Sequence, residues 1–203
     1  GLGEQRIFLA KLLRLIGTMT ESADDFMASR LRNSVWPCVC KIVENYGDKA
    51  TQSKCPTQPR IALETRRTSR QNAALSESER NLLQSAIELW KRVYDHRATG
   101  VVLSGLIPSA GALLFPFLDY DDDDSIAATA VEALTSMIRI DYDALWRPLV
   151  EMSDQRLRPC PLKVQATAQT HQPVPRRSKS DLARQRARHL VALIDSLPEQ
   201  PLE

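Results

Sequence analysis

The sequence predicts an all-α chain of stacked antiparallel helix pairs, and three observations predict it. Of 203 residues, 43% are hydrophobic, enough for a core, and only 7 are glycine, too few for a turn-rich sandwich or barrel. Apolar residues recur at three- and four-residue intervals in segment after segment, the spacing of one helix face. The face Leu82, Leu83, Ala86, Ile87, Trp90, Val93 and Tyr94 also returns 44 residues later as Ile126, Ala127, Ala130, Val131, Leu134, Met137 and Ile138. Residues 38, 39, 42, 43 and 46 match its first five positions at the same offset. That period falls in the range of HEAT and armadillo repeats, so the predicted architecture is a HEAT-type α-solenoid.

The elements follow in order. Phe8, Leu9, Leu12, Leu13, Ile16 and Met19 give residues 4–19 one apolar face. Ser22 or Asp24 is placed to cap a second helix with Phe26, Met27 and Leu31. Trp36-Pro37 is expected to open a third, because proline is tolerated in a first turn, and Gly47 to close it. Residues 48–76 are polar and without periodicity, and are expected to form a flexible basic loop. Ser76 with Glu79 makes a capping box at the start of the next helix, in the block 77–152. Residues 98–118 carry no charge over a transmembrane length, yet Gly100, Gly105, Pro108, Gly111 and Pro116 interrupt them. Two short buried helices, 101–107 and 109–118, joined near Pro108, are the preferred reading. A further helix spans 125–139, and Tyr142, Leu145, Trp146 and Leu149 mark a short one over 141–151. Residues 153–180, with four prolines, read as a linker. Asp181 is placed to cap a final helix with a narrow stripe of Leu182, Leu190, Leu193, Ile194 and Leu197, which needs a surface to dock on.

Charge is unevenly distributed. The net charge is +2, but 47–76 carries +4, 156–188 carries +8 and the remainder −10. The basic segments have the charge to neutralise phosphates but lack interleaved aromatics for base stacking, so nucleic acid is a rival reading, not the favoured one. Cys38, Cys40, Cys55 and Cys160 match neither a disulfide framework nor a zinc site, and reduced thiols in the cytoplasm or nucleus fit better. The start at Gly1 has no signal-peptide pattern and reads as part of something longer.

No catalytic constellation is expected. His96 sits at a helix end, His171 in the linker, and neither GxxxxGK[ST] nor GxGxxG is present. An EF-hand loop begun at Asp119 would need Gly at its sixth position and Glu at its twelfth; Asp124 and Ala130 stand there. The aspartates instead suit the N-terminus of the helix that follows. No metal or cofactor is therefore predicted. Arg66-Arg67-Thr68-Ser69 and Arg176-Arg177-Ser178 have the form of basophilic kinase sites, making Ser69 and Ser178 candidate phosphosites.

Taken in order, the segments resemble the C-terminal part of the Tel-two-interacting protein one family, the large HEAT-repeat subunit of the TTT complex. The residues that carry the resemblance are Asp25-Phe26, Arg30, Asn33 and Trp36-Pro37 in SADDFMASRLRNSVWPCVCKIV, then NLLQSAIELW, then EALTSMIRIDYDALWRPLV at 132–150. An insertion between the first two segments and a short Leu-bearing helix at the end also match in place. The resemblance covers about three quarters of the chain. It implies a scaffold working with Tel-two and Tel-two-interacting protein two, and indirectly with the ninety-kilodalton heat-shock chaperone system. It further implies a role in maturation and stability of phosphatidylinositol-3-kinase-related kinases, and no catalytic residue. The expectation is a non-enzymatic protein-interaction scaffold, with Trp36, Trp146, Arg184, Arg188 and Leu190 as candidate partner-binding residues. The rivals are another HEAT scaffold of transport or phosphatase type, a nucleic-acid module, and a membrane protein spanning at 98–118.

Overall fold

A computed structural model describes residues 1–22, 26–53, 75–120, 124–153 and 181–197. The described residues are helical with short connections, and no strand occurs among them. The helices are α1 (Leu2–Ser22), α2 (Phe26–Arg30), α3 (Trp36–Ser53), α4 (Glu77–Asp95), α5 (Arg97–Val102), α6 (Ile107–Leu114), α7 (Asp124–Ile140), α8 (Asp143–Met152) and α9 (Asp181–Ser196). Single 3₁₀ turns at Ser104–Leu106 and Phe115–Asp119 flank α6.

Two rows of helices make the body. In the first row α1 packs along α4, and α4 along α7. The pairing order shows that the three run parallel. Arg6 meets Glu79 at 3.1 Å, Arg14 Nε donates to Ser85 Oγ at 3.1 Å and Arg92 meets Glu21 at 3.2 Å. One step further, Lys91 meets Glu132 at 2.8 Å and Ser136 Oγ donates to Asp95 at 2.6 Å. Gly17 lets α1 approach closely, since a Cβ there would lie 2.8 Å from Arg92 Cδ. The second row holds α3, which packs on α6, and α6, which packs on α8; α3 also touches α4. The final helix, α9, lies across α8, α7 and the turn Phe115–Asp119.

The repeat offset of 44 needs one correction. Its α4 and α7 positions are buried, Val131 partly, and the two helices stack, so these two match. But α3 stands in the other row, so the match of 38–46 to α4 equates helices of different rows. Cys38 on that segment is exposed.

The predicted break at Trp36 is absent. Residues Leu31–Val35 form one π-helical turn, and the chain runs helically from Phe26 to Ser53. Trp36 N–H donates to Leu31 O, five residues back. The cause is Pro37, which has no N–H and whose ring would crowd a carbonyl four residues earlier. A widened turn before it accommodates both. Arg32 Nη2 donates to Val102 O at 2.8 Å and ties this turn to the end of α5. Gly47 does not end the helix but lies inside it, beside the Phe117 ring. The expected loop at 48–76 is shorter at both ends: α3 reaches Ser53, and Leu75 is buried in the core. Residues 54–74 lie outside the described residues, as do Asp24 and the linker from 154 to 180.

Other expectations hold or shift by a few residues. Ser76 caps α4 with the reciprocal bonds of a capping box. The break in the uncharged window falls at Leu103, not at Pro108, which sits in the first turn of α6. Val101 and Val102 are exposed rather than buried. No helix among the described residues is long and apolar enough to cross a membrane. The α9 stripe is wider than its leucines suggest, because Ala183, Ala187 and Val191 are buried with Leu190 and Ile194.

Gly111 sets the α6–α8 distance. A Cβ there would overlap Leu145 Cδ2, and Leu145 is fully buried, so it would have to shift within a packed core. Gly111→Ala is expected to destabilise the fold by about 1–2 kcal/mol, overpacking outweighing the gain in helix propensity of roughly 1 kcal/mol. Urea unfolding against Gly105→Ala, where the space is open, measures it.

Candidate interaction surface

The first helix row ends differently on its two sides. Beyond α7, α9 closes the stack with five buried side chains. Two α9 arginines reinforce that closure. Arg186 Nη1 donates to Leu118 O at 2.7 Å, and Arg188 Nε to Ser153 O at 3.4 Å. Leu118 lies near the end of the 3₁₀ turn Phe115–Asp119 and Ser153 just past α8, so both arginines serve carbonyls at helix ends, where intrahelical donors run out.

Beyond α1 nothing among the described residues is packed. The α1 face toward α4 buries Ala10, Leu13 and Gly17. The opposite face exposes Phe8 (69%), Leu12 (39%), Leu15 (56%) and Met19 (48%). Their four-, three- and four-residue spacing puts all four on one line along the helix, the a/d seam of a two-helix contact. Leu2 and Ile7 are exposed near its start. A helix apolar on both faces is one that packs on both sides, and contiguous exposed apolar surface on this scale marks an interaction site.

The candidate residues fall in different places. Trp36 and Leu190 are core residues, so neither presents a free surface. Trp36 packs against Trp90 (ring centroids 5.2 Å apart, 35° tilt) and edge-on to Tyr94 (6.1 Å, 88°). Arg188 holds Ser153 O, and Arg184 meets Asp181 at 3.1 Å one turn earlier. Trp146 alone of the five is a large apolar group at the surface, 40% exposed. Ser69 and Ser178 lie outside the described residues. The single apolar face expected over residues 4–19 is two: Phe8, Leu12 and Met19 lie on the exposed line, which Leu15 completes, and Leu9, Leu13 and Ile16 lie toward the core.

No group of three or more His, Cys, Asp or Glu among the described residues could hold a metal. Burial raises the Tyr94 hydroxyl pKa, with Cys40 adding and Arg32 opposing; the neutral hydroxyl donates to Leu103 O at 3.2 Å. Burial, then Glu44, raises the Cys40 thiol. A half-open groove of about 420 Å³ between α1, α3 and α4 is lined by Arg6, Ile42, Tyr46, Glu79 and Leu82, and its Arg6 and Glu79 are paired with each other. His96 Nδ1 shares a 2.9 Å hydrogen bond with Thr99 Oγ1 at the α4–α5 junction, a structural use.

No protein family, curated protein or solved structure matches this chain.

Proposed function

We propose that this chain is a non-catalytic protein-interaction scaffold, built as a HEAT-type α-solenoid and acting in the cytoplasm and nucleus. The observation that supports it is the row α1–α4–α7: three parallel helices stacked side by side, closed by α9 at one end and apolar at the other. Stacked helix pairs present long ridges to partners, and a terminal element with a polar outer face keeps such a stack soluble. The resemblance of 22–43 and 132–150 to the Tel-two-interacting protein one family supplies the proposed partners. They are Tel-two, Tel-two-interacting protein two and phosphatidylinositol-3-kinase-related kinases, with the heat-shock chaperone system engaged indirectly.

Affinity purification of the full-length protein with mass spectrometry tests this reading. Recovery of both TTT subunits supports it; their absence overturns the family assignment. Recovery of Ran or of a phosphatase would place the chain with other HEAT scaffolds. The nucleic-acid reading loses support from α9, since Arg186 and Arg188 are engaged with backbone carbonyls.

A further inference from the structure

We propose that α9 is a built-in ligand. The face it covers, made by α7, α8 and the turn Phe115–Asp119, is a helix-binding site, and α9 holds it closed against a partner helix of the same chemistry. That partner is an amphipathic helix with two small residues four apart and an arginine just before the second. Branched aliphatic side chains follow three, four and seven residues after the second small residue.

The occupant's chemistry is read from α9 itself. Ala183, Ala187, Leu190, Val191 and Ile194 are its buried side chains and lie on one helix face. Side chains at a helix contact set the distance between the elements, and alanine at 183 and 187 brings α9 close. Arg186 Nη1 then donates to Leu118 O at 2.7 Å and to Tyr120 O at 3.4 Å, and Arg188 Nε to Ser153 O at 3.4 Å. The acceptors are backbone atoms of the body, so an arginine on any helix seated there can meet them. The half-buried Asp119 in the same turn suits a basic occupant.

The connection makes the contact exchangeable. Arg188 meets Ser153, so the start of α9, two turns earlier, lies within about 20 Å of the end of α8. About six extended residues span that distance, and residues 154–180 supply 27. With that much excess length, α9 competes for the site only at an effective concentration on the order of 1 mM. This inference rests on the packing of α9 and not on the family assignment, so each can fail alone.

Binding of a fluorescein-labelled peptide of residues 181–197 to the full 203-residue chain, read by anisotropy, tests it. Wild type is expected to bind weakly, because its own α9 holds the site. Leu190→Asp puts a charge into the buried contact. That variant is expected to bind the unaltered peptide at least tenfold more tightly, with a Kd of about 50 µM against the roughly 1 mM set by the tethered helix. Ala187→Leu overfills the same contact without a charge and is expected to do the same. A peptide carrying Leu190→Asp should bind none of the three chains. Equal affinity of wild type and both variants overturns the proposal, and so does binding of the Leu190→Asp peptide. Unfolding of both variants without denaturant also overturns it, because α9 would then be part of the fold and not its ligand. Sedimentation of wild type mixed with Leu190→Asp separates the other occupant. A mixed dimer below about 100 µM, well under the tether's effective concentration, would assign the site to α9 of a second copy and overturn the partner reading.

Discussion

Replacing Trp90 by alanine is expected to lower the unfolding free energy by about 3–5 kcal/mol, a large part of the stability of a domain this size. The indole is fully buried on α4, the helix that touches α1, α3 and α7, and it packs against Trp36. Removing it opens a cavity where both helix rows meet. Phenylalanine is expected to cost much less. Trp90 Nε1–H is buried without a hydrogen-bond acceptor among the described residues, and an apolar ring removes that unmet donor along with some volume. Urea unfolding followed by circular dichroism measures both. A Phe variant as damaged as the Ala variant would show that volume alone governs the site.

The second large effect is expected at Leu190. Aspartate there would place a charge in a fully buried position, at a cost greater than a single helix gains by docking. The predicted result is that α9 leaves the stack while α1–α8 stay folded. Limited trypsin digestion reads this directly. Cleavage after Arg184, Arg186 and Arg188 should accelerate at least tenfold, as a loss of about 1.4 kcal/mol of protection requires. Global unfolding in the absence of denaturant would refute the separation of α9 from the rest. Unchanged cleavage would refute its docking through Leu190.

The sequence shows some of these elements plainly and others not at all. The α4 start was readable because Ser76 and Glu79 act on their own local backbone. The α4–α7 equivalence is readable because large buried side chains recur at matching positions, Leu82 with Ile126, Trp90 with Leu134, Val93 with Met137 and Tyr94 with Ile138. Where small residues do the packing, the signal failed: Ala183 and Ala187 complete the α9 face, and Gly17 and Gly111 set two helix contacts. The join at Pro37 is not legible in the sequence, because proline gives the same local signal for a helix start and for a widened turn. The row to which α3 belongs is a tertiary fact, and a periodicity of 44 cannot encode it. The interaction seam was visible as residues but not as a face. Assigning Phe8 and Leu12 to the outside requires knowing which side of α1 meets α4.

The widened turn at Leu31–Val35 has a consequence for how this helix tolerates change. One added residue rotates everything beyond it by about 100° relative to an uninterrupted α-helix. The segments before and after the turn are therefore out of phase, and each presents its apolar side inward only because the turn absorbs the difference. Substitutions at exposed Arg32, Asn33 or Ser34 leave that phase alone. Deletion of any one of them would swing Val39, Val43 and Tyr46 a quarter-turn off the core, making length, rather than side-chain identity, the constrained quantity there.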